Sequence, residues 1–240
     1  MPRLVILHTN DLHGKLDSHR LPFLKSLRAE ADLYFDSGDC IQTGNLGIPL
    51  KPEPVWPLLA DAGCDLSIPG NRESHVMEAV MKKKFEGVSH PVICANWHGK
   101  GDVANPFPQV WKAEISGVKI GVVGVMVPMV TERMASRHAS QYIWEQPIPK
   151  AIELGKHFRP EVDLLIAMTH IGITQDRKLA ESTEDFDVIL GGHSHTVLDQ
   201  PEVINGTPIC QGGSHGRFIG RYVWEDGHWS GELIPWQVTP

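Results

Sequence analysis

The sequence predicts an α/β fold for this chain of 240 residues. Three observations carry that expectation. Short apolar runs recur, and each closes in a polar cluster. Amphipathic stretches alternate with them. The composition, 41% hydrophobic and 21% charged, is that of an ordinary globular protein. The length suits one large α/β domain rather than two.

The elements follow in order. LVIL runs into HTNDLHG, DLYF into DSGDCIQTGN, and DLSI into PGNRESH. PVICA runs into NWHG, VDLLIAM into THIG, and DFDVIL into GGHSHT. Short runs rich in Val, Ile and Leu, bounded by Gly, Asn or Asp, read as buried strands. Helices fill the gaps. LPFLKSLRAEA spaces Leu21, Leu24 and Leu27 three apart, with Phe23 beside them. ESHVMEAVMKKKF offers Val76, Met77, Val80 and Met81 on one face, and its lysines fall where the helix dipole favours cations. PKAIELGKHF and TQDRKLAESTE are shorter helices. The Met and Leu stripes read as core packing. IPLKPEPVWP reads as a surface loop before a helix. After Gly206, TPICQGG, FIGRYVWEDG and HWSGELIPW alternate and carry the turn signal EDG, so they read as closing antiparallel strands.

Net charge is −7 with histidine neutral. That excludes broad nucleic-acid or anionic-membrane binding, which needs basic faces. It leaves room for an anionic substrate, because a bound metal reverses the local field. The first apolar run, Leu4 to Leu7, is shorter than the roughly 7–15 residues of a secretory signal. No run approaches the roughly 18 residues that span a membrane. A cytoplasmic protein is expected. Cys40, Cys64, Cys94 and Cys210 are far apart with no C-x-x-C pair, so they read as reduced, buried thiols.

The polar clusters carry the chemistry. In open α/β sheets, ligands bind outside the carboxyl ends of strands. The loops at those ends present Asp11 and His13, Asp39, Asn71, His170, and His193 and His195. All are oxygen or imidazole donors, and none is a thiolate. Such a set suits Mn²⁺, Fe, Zn²⁺, Ni²⁺ or Co²⁺ rather than a thiolate structural zinc site. Seven donors exceed what one ion with an open position takes. Shared through a bridging carboxylate, they suit two ions roughly 3.5–4 Å apart. Asp39, alone on its loop and with two oxygens, is the expected bridge. A lone histidine is more often a surface or capping residue, and DLHG by itself says little. Five such clusters in order, each after a strand, say more.

The order D-x-H, G-D, G-N, H and G-H-x-H resembles the calcineurin-like metallophosphoesterases. More narrowly, ILHTNDLHG, DSGD, GN-E, AN, THIG, GGHSHT and GGSHGRFIGR resemble the catalytic N-terminal domain of the 5′-nucleotidase family. The resemblance runs from about Leu4 to about Trp236. It implies a two-sheet β-sandwich flanked by helices, the four-layer metallophosphoesterase-like architecture, with a dinuclear metal centre. By that resemblance Asp11, His13, Asp39 and His195 hold one divalent ion. Asp39, Asn71, His170 and His193 hold the other. Mn²⁺ is the first expectation, with Fe, Zn²⁺, Ni²⁺, Co²⁺ or Mg²⁺ as alternatives. The implied activity is hydrolysis of a small phosphomonoester or phosphodiester, nucleotides included, by a hydroxide bridging the metals.

Three departures qualify the resemblance. The family's separate nucleoside-binding C-terminal domain has no room after Pro240, so residues 1–240 are expected to form a single catalytic domain. No export signal is evident. The family's Gly-Asn-His-Glu, with an aspartate two residues further on, here reads Gly70, Asn71, Arg72, Glu73, Ser74, His75. Asn71, Arg72 and His170 are expected at the phosphate. Arg72 is a forked donor to phosphoryl oxygens but a poor proton donor. His75 titrates near neutrality and is expected to share a helix face with Arg72, as a replacement acid. The plainer alternatives pair Arg72 with Glu73 or Glu78 and leave His75 on the surface. His98 and His215 are secondary site candidates, and Trp97 is a candidate aromatic platform. Trp229 and Trp236 are candidate exposed interface residues. The rival function is a catalytically impaired metal- and phosphate-binding regulatory module.

Overall fold

In the computed structural model, which describes residues 2–237, the apolar runs lie in two stacked sheets. The first contains β1 (Arg3–Thr9), β2 (Leu33–Asp36), β3 (Leu66–Ser67), β12 (Phe218–Glu225) and β13 (His228–Pro235). Its order is β13-β12-β1-β2-β3. The second contains β5 (Val110–Ile115), β6 (Val118–Met126), β8 (Leu164–His170), β9 (Val188–Leu190), β10 (Glu202–Ile204) and β11 (Thr207–Cys210). Its order is β10-β11-β9-β8-β6-β5. A small ribbon pairs β4 (Trp97–Gly99) with β7 (Tyr142–Trp144).

Alternation of side chains across each strand gives every central strand two buried faces. Leu4, Ile6 and Phe35 of the first sheet meet Ile120, Val122, Leu164 and Ile166 of the second. The outer face of the first sheet, with Leu7 and Tyr34, packs on α1 (Leu21–Arg28), α2 (Val55–Asp61) and α3 (Glu78–Lys84). The outer face of the second, with Val123, Val125 and Leu165, packs on α4 (Pro147–Phe158) and α5 (Ile173–Ser182). The result is the expected four-layer helix–sheet–sheet–helix sandwich.

Register then sets where the loops open. β1, β2 and β3 run parallel, pairing Thr9 with Asp36 and Asp36 with Ser67. β8 and β9 also run parallel, pairing Met168 with Leu190. The carboxyl ends of these five strands therefore deliver the donor loops together.

Several local expectations are corrected. PVICA forms only one bridge, Val92 to Ser67. Beyond it the chain peels away: Cys94 N–H donates to Pro108 and Ala95 N–H to Gly124. The hairpin of β5 and β6 went unread in the sequence. Its turn, Ser116 and Gly117, has φ of 53° and 79°, the left-handed pair that two-residue hairpins need. The helix read from Glu73 begins only at Glu78, with Met77 extended at φ −105° and ψ 129°. Glu73 turns inward instead, accepting backbone N–H groups from Asp39, Ile41 and Gly70. Asn71 therefore sits in a turn, not at a helix start. Trp236 is buried and donates to the Arg20 carbonyl, and Trp229 packs against the inter-sheet core, so neither is an exposed interface tryptophan. Trp97 is also core, stacked on Trp144 at 4.8 Å between ring centroids. The four cysteines are free and buried. Among the described residues no helix is long and apolar enough to cross a membrane.

Candidate metal centre

The loops after β1, β2, β3 and β9, with His170 at the last position of β8, bring the seven predicted donors to one end of the two sheets. On one side His13 Nε2 lies 3.5 Å from Asp11 Oδ1 and 3.7 Å from Asp39 Oδ2. His195 Nε2 lies 3.2 Å from the same Asp11 oxygen. On the other side His170 Nε2 is 3.5 Å from Asp39 Oδ1 and 3.3 Å from Asn71 Oδ1. His193 Nδ1 is 2.8 Å from Asn71 Oδ1. Asp39 thus turns one oxygen to each side. Two triads, Asp11 with His13 and His195, and Asp11 with Asp39 and His170, each hold their donor atoms within 4.8 Å of one another.

The backbone is bent to aim these groups. Asp11, His13, Asp39, His193 and His195 have φ of 52°, 50°, 54°, 78° and 55°. Left-handed conformations are uncommon outside glycine and cost about 1–3 kcal/mol each, so they persist where surroundings over-determine them. Two glycines make the room. A Cβ on Gly70 would collide with Asp39 Oδ1, and one on Gly192 would meet His170 Nδ1 at 3.0 Å.

A second layer orients the donors. Asn10 Nδ2 donates to Asp11 Oδ2 at 2.8 Å and to the Gly213 carbonyl. The His193 N–H donates to that same Asp11 oxygen at 2.9 Å. His170 Nδ1 donates to the Ser37 carbonyl at 2.7 Å, so Nε2 is the nitrogen that faces Asp39 and Asn71. A histidine whose far nitrogen is fixed in this way is pre-set as a metal ligand. Sequence reasoning missed these supports. The asparagine in TNDLHG and the serine in DSGD lie within the motifs, but nothing local says what they bond.

Asp11, Asp39 and His170 are buried. Burial works against the Asp11 carboxylate, yet the hydrogen bond from His13, the His170 charge and the Asn10 amide hold its pKa down to about 2. Burial likewise works against a charged His170, yet the Asp39 and Asp11 carboxylates push its pKa up to about 10. Two buried carboxylates this close create a field that demands positive charge. Together with the all oxygen–imidazole donor set, that field fits divalent cations.

Arg72 lies at the edge of this cluster. Its N–H donates to Asp39 Oδ1 at 2.7 Å, and its Nη1 donates to the Gln42 carbonyl at 2.9 Å. Its Nε stands 3.9 Å from Asp39 Oδ2. It pairs with neither Glu73, which is turned inward, nor Glu78, which pairs with Lys82. His75 sits in the bend before α3, and its Nδ1 accepts the Met77 N–H at 3.0 Å. Burial and the Lys84 charge lower its pKa, which favours the neutral ring. The shared helix face expected for Arg72 and His75 does not exist, because no helix spans them. His98 belongs to the small ribbon, 3.3 Å from Glu145. His215 does reach the centre: its ring lies 4.6 Å from that of His13 and 5.8 Å from that of His195, centroid to centroid.

A four-layer sandwich with this donor end is the arrangement of a metal-dependent phosphoesterase. The family model for the calcineurin-like phosphoesterases matches residues 4–197. The chain belongs to that family, whose reaction class is hydrolysis of phosphoester bonds. It is similar to the trifunctional nucleotide phosphoesterase protein YfkN of Bacillus subtilis, at 28% identity over 91% of this chain and 18% of that protein. It is also similar to the 5′-nucleotidase of Vibrio cholerae, at 27% identity over 99% of this chain and 51% of that protein. The chain thus spans about half or less of the length of these relatives. Its fold is like that of the 5′-nucleotidase precursor from Thermus thermophilus, with a TM-score of 0.80 at 18% identity over 98% of this chain and 55% of that one. The crystal structure of YfkN from Bacillus subtilis gives a TM-score of 0.77 at 20% identity, over 99% of this chain and 92% of that one.

Proposed function

We propose that this chain hydrolyses small phosphoesters at a dinuclear centre, with nucleotides as the first substrates to test. The observation that carries the reading is Asp39, with one oxygen toward each of two donor groups. Asp11, His13, Asp39 and His195 would hold one divalent ion, and Asp39, Asn71, His170 and His193 the other. When bound, such ions supply Lewis-acid polarisation of phosphoryl oxygens and a water acidified for attack.

The chain's own residues do the rest. The second layer of Asn10, Ser37 and Glu73 orients the donors through hydrogen bonds to Asp11, His170 and the Asp39 backbone. Arg72 presents a guanidinium beside the bridging carboxylate, with Nη1 bonded to the Gln42 carbonyl and its other N–H groups without a hydrogen bond among the described residues, available to phosphoryl oxygens. It stabilises negative charge that builds in the transition state. It does not donate a proton, so substrates with good leaving groups are favoured. Nucleotide substrates are supported by the names of the relatives: nucleotide phosphoesterase and 5′-nucleotidase.

The test is a panel with added Mn²⁺: p-nitrophenyl phosphate, bis-p-nitrophenyl phosphate and AMP. Turnover of at least one ester, lost on chelation, is the expected result. No turnover of any, with metal bound, overturns the hydrolase reading.

A further inference from the structure

Lys84, the last residue of α3, has no exposed surface. A buried ammonium is costly unless fully bonded. Its Nζ reaches four backbone carbonyls: Gly44 at 2.9 Å, Asn45 at 3.0 Å, Arg72 at 2.5 Å and Ser74 at 3.1 Å. Two of these belong to the loop after β2 and two to the turn after β3. Those segments carry different donors of the proposed centre. They also bond directly: Asn71 Nδ2 donates to Asn45 Oδ1 at 2.9 Å, and Arg72 Nη1 donates to the Gln42 carbonyl. The first bond leaves Asn71 Oδ1 facing His170 and His193. The second sets the direction of the guanidinium.

The amide groups nearby are held by carboxylates. Glu53 accepts the N–H of Gln42 and of Thr43, each at 3.1 Å, and Glu73 accepts those of Asp39, Ile41 and Gly70. Lys84 is the matching cation for the carbonyls. Without it, the inward-turned carbonyls of Asn45, Arg72 and Ser74 would lose this donor, Gly44 would keep the Gly47 N–H alone, and loop and turn would lose their common anchor.

We propose that Lys84 is a positioning residue: through the 44–45 loop and the 72–74 turn it sets the Arg72 guanidinium and the Asn71 amide in the centre. This rests on the metal-dependent hydrolase reading above. The test is a double-mutant cycle with Lys84→Met, Arg72→Ala and the pair. Inhibition by inorganic phosphate and the split between kcat and KM are read on the Mn²⁺-loaded protein. Lys84→Met is expected to weaken phosphate about tenfold when Arg72 is present, the worth of one hydrogen bond to a charged group. It should weaken it less than about twofold when Arg72 is already alanine, since coupled residues are non-additive. Mn²⁺ titration by calorimetry gives a second reading, independent of turnover. Lys84→Met should weaken one of two Mn²⁺ sites in the presence of Asn71, and not in an Asn71→Ala background. Additive losses in both cycles overturn the proposal and leave the hydrolase reading intact. A wild type that turns over no ester sinks that reading, and the Mn²⁺ cycle then still decides on Lys84. If Lys84→Met does not fold, Lys84→Gln, which keeps two N–H donors, takes its place. If both unfold, Lys84 is a general core residue and the proposal fails.

Discussion

Arg72 and Asp39 touch twice: the Arg72 N–H donates to Asp39 Oδ1 at 2.7 Å, and its Nε stands 3.9 Å from Oδ2. A residue that stands where the resembling family has a histidine therefore lies against the carboxylate proposed to bridge two ions. If the guanidinium binds phosphate, Arg72→Ala should lower kcat/KM by about 10- to 100-fold, the worth of a hydrogen bond to a charged group. Arg72→His should restore part of that, and more for AMP, a poor leaving group, than for p-nitrophenyl phosphate. Steady-state kinetics on both esters reads this, and equal rates for all three proteins would remove Arg72 from the mechanism.

Asp39 is the second position to change. Its two oxygens face different donor groups, so Asp39→Asn should weaken both ions rather than one. Metal analysis after gel filtration in Mn²⁺ should show the content falling from two per chain towards none, with activity lost in parallel. Two ions retained at full activity would sink the dinuclear reading.

His75 separates the sequence expectation from the geometry. Its Nδ1 is engaged by Met77, and burial with the Lys84 charge lowers its pKa. His75→Gln preserves an acceptor for that N–H, and is expected to change kcat by less than about threefold on AMP, within the range of a substitution away from the chemistry. A loss of a hundredfold or more on AMP, with p-nitrophenyl phosphate spared, would instead make His75 the leaving-group acid.

The contrast between these residues shows what the sequence carried. The donors were legible because each follows an apolar run, and parallel strands deliver their carboxyl-end loops to one place. The two outer helical layers were legible through their spacing. The turn around Arg72 was not. ESHVMEAVMKKKF has a helical pattern from its first residue, but the buried Glu73 bonds backbone groups up to 34 positions away. Tertiary contacts of that kind override local propensity and leave no periodic trace. Lys84 was hidden for the same reason: three lysines in a row read as cations suited to the helix dipole, and the third points inward. The β5–β6 hairpin is different, since Ser-Gly between two apolar runs is a local signal.

Asp36 supplies a pH dependence with a definite sign. Its carboxyl lies beneath the centre, fully buried, accepting the Thr9 hydroxyl at 2.6 Å and the Gly38 N–H at 3.1 Å. Burial pushes its pKa up from 3.8 to about 8, against those hydrogen bonds and with help from the Glu73 charge. Below about pH 4 the group is neutral folded and unfolded, and its contribution to stability is complete. Between about 4 and 8 the unfolded chain releases the proton that the fold keeps, so stability from this group falls as pH rises. Asp36→Asn is uncharged throughout, and Thr9, already bonded to the Tyr34 hydroxyl, can turn to accept its amide. The variant's unfolding midpoint, relative to wild type, should therefore rise steadily from pH 4 to 8. Chemical denaturation of the metal-free proteins at several pH values measures it. A difference that stays flat would mean Asp36 is ionised in the fold.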